Sequence, residues 1–200
     1  MGYIVQTDEV ALVKQEKYRA DAQKEGFEHA LALSIATPGP FDANKPWNGK
    51  YINLKARAFD YVNDIVLPTS GAALAAGLAG WLTMPLAVIG NPYSVFANNA
   101  PAAINPQVQN TQVWVFYKYC IPYAITFPVT YLIMTSGQQG QFRKDEFDLE
   151  PCYSKLSTDG FFSSPVVYDK AEFCGATVRA RIVSPAIAFV LQGWVIEPRQ

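Results

Sequence analysis

The chain has 200 residues and a formal net charge of -1; half of the residues are apolar, 14% are aromatic and 16% are charged. Soluble domains usually carry about 25% charged residues, so charge is scarce, and the near-neutral balance gives no reason to expect a nucleic-acid partner, which calls for a basic surface. Three cysteines with no C-x-x-C pair, and the single histidine His29, exclude the common zinc and haem ligand patterns.

The charge is unevenly spread. Residues 65–142 hold one charged side chain, Lys118. Residues 1–64 hold eight Lys/Arg and nine Asp/Glu, and residues 143–200 hold seven and eight. The chain therefore divides into an N-terminal extramembrane part (1–64), an apolar centre (65–142) and a C-terminal extramembrane part (143–200). The first residues lack the apolar core of a signal peptide, and Asp8, Glu9 and Glu16 argue against a transit peptide.

Residues 7–36 read as a helix. Thr7 suits the N-cap, with Asp8 and Glu9 in the positive first turn. Val10, Val13, Ala20, Phe27 and Leu31 recur at threes, fours and sevens and mark an apolar stripe. Such a stripe packs on a partner or on the rest of the fold. Pro38, Gly39 and Pro40 end the helix and begin a proline-rich loop. Residues 51–66 place Tyr51, Leu54, Ala58, Tyr61, Val62 and Ile65 on one helical face, as an amphipathic helix at a membrane surface would.

Residues 71–90 form an uncharged stretch of the length needed to span a bilayer. Ala72, Ala76 and Gly80 lie four apart, as do Ala73 and Gly77. That small-residue spacing admits a closely packed second helix. A chargeless, Asn- and Pro-rich loop covers 91–112. The second candidate span is 113–135. Trp114, Tyr117 and Tyr119 would form its interfacial belt, with Lys118 snorkelling to the headgroups. Lys and Arg flank the pair of spans and are missing from the loop between them. By the positive-inside rule both termini face the matrix or cytoplasm. After the spans, 161–168 and 176–183 favour strands. Residues 186–196 are apolar but too short to span, and read as a buried strand or a surface-inserted segment.

Chemistry is hard to build from this inventory. The chain contains no P-loop, G-x-G-x-x-G or G-x-S-x-G motif. Asp145, Glu146, Asp148 and Glu150 cluster after the second span, where a solvated turn outweighs a metal site. No catalytic, cofactor-binding or metal residue is assigned, and no cofactor is expected. Cys152 and Cys174 are a candidate disulfide, weighed against free buried thiols.

The pattern thus predicts a mainly α membrane protein: a two-helix transmembrane hairpin, an N-terminal amphipathic helix and a small, partly β C-terminal region. Its function would be that of a non-catalytic accessory subunit in a multi-subunit membrane complex, such as a respiratory electron-transport assembly. Its partners would be other membrane subunits and lipids, in the mitochondrial inner membrane or a bacterial plasma membrane. A second reading competes with this one. Residues 113–134 are rich in β-branched and aromatic residues, and Pro122 and Pro128 suit strand edges or turns. Those features, with 14 prolines, suit a viral capsid β-sandwich.

Overall fold

A computed structural model describes residues 2–6, 12–36, 54–60, 64–65, 83–96, 105–122, 128–153 and 158–198. In chain order the described elements are β1 (Ile4–Gln6), α1 (Leu12–Ala36), β2 (Leu54–Ala58), β3 (Thr83–Leu86), β4 (Pro92–Ser94), β5 (Val113–Cys120) and β6 (Val129–Ser136). There follow β7 (Phe142–Asp148), α2 (Glu150–Tyr153), β8 (Asp159–Tyr168), β9 (Cys174–Ala180), β10 (Ser184–Ala188) and β11 (Val190–Pro198).

The strands form a five-stranded sheet, β1-β8-β5-β11-β2, a four-stranded sheet, β4-β9-β6-β7, and a two-stranded ribbon, β10-β3. Every pairing between these strands is antiparallel. With β1 and the ribbon set aside, the remaining strands pair in a nested order. The first pairs with the last (β2 with β11), the next with the next to last (β4 with β9), then β5 with β8 and β6 with β7. The ribbon obeys the same nesting, since β3 follows β2 and β10 precedes β11. A chain folded as one long hairpin and then rolled into two facing sheets has this strand order, which is the jelly roll.

The two sheets enclose an aromatic interior. Phe59 packs edge-on against both Trp114 and Phe116, with centroids 4.9 Å away in each case. Phe147 of one sheet stacks on Phe162 of the other at 4.3 Å. The buried Tyr168 hydroxyl on β8 donates toward the carbonyls of Thr135 and Gly175, each at 3.0 Å, and so ties one sheet to the other. Burial pushes its phenol well above the ordinary range, which keeps it a donor. Cys174 is a free, buried thiol, so the candidate bridge to Cys152 is not formed.

Connections gather at the two ends of the sandwich. At one end Gly90 donates to Ala180 O, Arg181 to Pro128 O and Ile121 to Thr158 O. At the other, Asn105 donates to Gln138 O and Val108 to Glu172 O. The N-terminal strand β1 covers the edge of β8, and the Gly2 amide reaches across to Glu146 O on the second sheet. An otherwise open strand edge is thereby protected.

This architecture replaces the expected membrane hairpin. Of the stretch 71–90, residues 83–90 form β3 and the turn after it, while 71–82 lie outside the described residues, as do the candidate packing positions Ala72, Ala73, Ala76, Gly77 and Gly80. The stretch 113–135 is β5 and β6, with Pro122 and Pro128 in the connection between them. Of the surface helix expected over 51–66, residues 54–58 are β2, and the other described residues, 59–60 and 64–65, are not helical. No helix among the described residues is long and apolar enough to cross a membrane. The strands expected at 161–168 and 176–183 are present as β8 and β9, and 186–196 falls in β10 and β11. The helix expected at 7–36 is present as α1 from Leu12 onward.

A physical cause makes β5 resemble a span. Trp114, Phe116 and Tyr119 belong to the inter-sheet core, while Val113 and Val115 are buried in a second cluster with Ala22 and Ala30 of α1. A strand covered on both faces loses the apolar–polar alternation of a half-buried strand and reads as a continuous apolar run.

Candidate functional site

The residues expected at a membrane interface are distributed over both faces of β5. Trp114 is fully buried, and its indole N–H donates to Gln112 Oε1 at 3.0 Å. Tyr119 is buried and stacks on Phe189 at 5.6 Å. Tyr117 points the other way and stacks on Phe161 and Trp194, at 6.4 and 6.3 Å. Lys118 pairs with Asp159 across the strands at 2.6 Å and sits 5.1 Å from the Phe161 ring centroid. Packing, one hydrogen bond and one ion pair account for all four within the described residues.

The acidic cluster also resolves into local structure. Asp145 accepts from the Gly2 amide at 2.8 Å, Asp148 accepts from the Glu150 amide at 2.9 Å, and Glu150 pairs with Arg181. Among the described residues no group of three or more His, Cys, Asp or Glu is arranged to hold a metal ion.

A polar network closes the rim where β2 meets the end of β11. Arg57 donates to both oxygens of Asp64, at 2.5 and 2.7 Å, and through Nε to Glu197 at 3.1 Å. Gln112 donates to Glu197 at 3.0 Å, and Lys55 lies 3.2 Å from the same carboxylate. Asp64 is 1% exposed and also accepts from the Asp60 amide at 2.7 Å. For Glu197, burial raises the pKa, but the Arg57, Lys55 and Gln112 contacts outweigh it and hold the carboxyl below its ordinary value. These groups satisfy one another, so the network acts as a clasp between strands.

The outer face of the five-stranded sheet carries α1, and here the surface acquires a distinctive build. Ala22, Gly26 and Ala30, four residues apart, are buried against the sheet. The approach is close: a Cβ on Gly26 would lie 2.7 Å from Val115 Cγ2 and 2.9 Å from Ile196 Cγ1. Aromatic and polar contacts clasp the flanks. Tyr18 stacks on Phe161 at 5.0 Å, the Arg19 guanidinium lies 4.8 Å from the Trp194 ring centroid, and the Trp194 indole donates to Arg19 O at 3.1 Å. Near the other end His29 Nδ1 lies 3.3 Å from Asp169 Oδ1.

Because the small residues face the sheet, most of the apolar stripe read in the sequence faces away from it. Val13 and Leu31 are 82% and 42% exposed. Ala20, Phe27 and Leu31 line a shallow surface groove together with Gln23, Lys24 and Glu28, and Phe27 also leans on the sheet side. The stripe is legible in the sequence, and so is the Ala22-Gly26-Ala30 seam, whose four-residue spacing of small side chains is the signal that marks the buried side. A second set of exposed apolar side chains, Val88, Ile89 and Val183, crowns the sandwich end nearest the ribbon.

No protein-family model matches this chain, and neither curated proteins nor solved structures give a significant match.

Proposed function

We propose that the chain is a non-catalytic virion structural protein, a shell subunit built on a single jelly roll. The observation that carries this reading is the nested strand order, combined with an interior filled by Trp114, Phe116, Phe147, Phe162 and Tyr168. Jelly rolls serve as capsid and lectin domains and as cupins. Where the sandwich interior is packed with aromatic side chains, the working surfaces are the outer faces and the loop ends. A shell subunit works through those surfaces. Fold alone does not dictate function; the exposed apolar side chains on α1 and at the ribbon end add support, because such patches mark interaction sites.

An accessory membrane subunit with lipid partners and an inner-membrane location has no support, because it requires two spanning helices, and the described parts of both stretches are strands and turns. The test is electron microscopy of the purified chain at high concentration. Closed shells or regular arrays are expected. A preparation that remains dispersed single subunits under all assembly conditions tried would count against the reading.

A further inference from the structure

We infer that the outward face of α1 is a homotypic contact, through which two copies of this chain pair with their α1 helices antiparallel about a twofold axis. The helix has 25 residues and is about 37 Å long at 1.5 Å per residue, long enough for an extended side-by-side contact. Its inward side is already occupied by the chain's own sheet through Ala22, Gly26 and Ala30. The stripe Val13, Ala20, Phe27 and Leu31 repeats at intervals of seven and four along the flank away from the seam, with Phe27 shared between that flank and the sheet, the pattern by which one helix packs on another.

Charge selects the occupant. Lys14, Glu16, Lys17 and Asp21 lie in the N-terminal half of the exposed side, Lys24 lies at its centre and Glu28 in its C-terminal half. In an antiparallel pair, the register that sets Lys17 opposite Glu28 of the second copy also sets Asp21 opposite Lys24 of that copy. The same register brings Val13 beside Leu31 of the second copy. Twofold symmetry then repeats each contact, so a single surface is complementary to itself. A parallel pair in register would set each charge against its own kind. Lys24 and Glu28 contact each other only at 3.7 Å, with side chains 75% and 65% exposed, so both can turn to a new partner. Opposite charges across such a contact favour the correct register, and like charges penalise it.

Sedimentation velocity on the full chain over a range of concentrations tests this. The wild-type protein should associate reversibly. Lys17→Glu alone and Glu28→Lys alone should each weaken association by roughly tenfold or more, and the double exchange should restore it. Unfolding midpoints of the variants serve as the control for folding, and both positions are exposed. A wild-type chain that stays monomeric overturns the inference, as does association indifferent to the single exchanges or not recovered in the double one. A monomeric chain would leave this face to some other partner. The inference does not depend on shell formation: dimers without particles would sink the capsid reading alone, and particles indifferent to the exchanges would sink this one alone.

Discussion

The two faces of the five-stranded sheet are both buried, but by different means. The inner face is sealed by large side chains, with Trp114, Phe116, Phe162 and Tyr168 meeting Phe147, Leu132 and Met134 from the opposite sheet. The outer face is sealed by a helix held close through an alanine, a glycine and an alanine. Large interdigitated residues give much buried area and specify one packing. Small residues bury little area themselves but bring a backbone near, so the helix depends on its flanking clasps at Tyr18, Arg19 and His29. The inner face thus determines whether the chain folds. The outer face determines what the folded chain presents.

Substitutions can break this contrast, and the largest effect belongs to the inner face. Trp114→Ala removes a fully buried indole and leaves Gln112 without its donor. The cost should be about 3–5 kcal/mol, read as a drop in the denaturant midpoint. An effect on α1 alone would mean that the two faces are not mechanically distinct.

The rim clasp comes next. Asp64→Asn leaves Arg57 without its bidentate acceptor and should cost about 1–3 kcal/mol in denaturant unfolding. On the outer face, Gly26→Leu should cost about 1–3 kcal/mol, because overpacking against Val115 and Ile196 outweighs the gain in helix propensity. Amide exchange should localise that loss: α1 should open while β5 and β8 retain their protection. Uniform loss of protection would show that helix and sandwich unfold as one unit.

A pH series sharpens the clasp further. The folded-state pKa of Glu197 lies below the ordinary 4.5, so its contribution is fully present above that value. As the pH falls through the lower, folded-state value, the carboxylate gains its proton and the contribution is lost. Glu197→Gln should flatten this part of the acid dependence of the unfolding free energy. An unchanged slope would remove Glu197 from the account of the rim.

Single elements are legible in the residues, but the architecture is not: the two-helix membrane hairpin that hydropathy predicts is overturned by the two sheets, and the cause is definite. The strands at β8 and β9 and the helix α1 follow from β-branched alternation and apolar recurrence. The stretch 113–135 announced its strands through Val, Tyr, Phe and Trp content, and its prolines fall in the turn. It nevertheless imitates a span because α1 covers the outer side of β5, so Val113 and Val115 are as buried as Trp114 and Phe116. Hydropathy cannot separate lipid from the chain's own helix. The direction of α1 has a similar ambiguity: the sequence displays two seams on one helix, large apolar residues at 13, 27 and 31 and small ones at 22, 26 and 30. Apolar size favours the first as the buried face, while close backbone approach selects the second. Nesting of strands is invisible locally, since β2 and β11 lie at opposite ends of the described sandwich sequence.

The smallest effect on stability is also the most telling. Leu31→Asp alters an exposed side chain and should shift unfolding by no more than about 0.5 kcal/mol. Sedimentation velocity of this variant, at a concentration where the wild-type chain associates, tests most directly whether the two faces divide the labour. The expected result is loss of association with the unfolding midpoint unchanged. Association equal to that of the wild type, or a fall in the midpoint as large as that from a core substitution, would contradict the division.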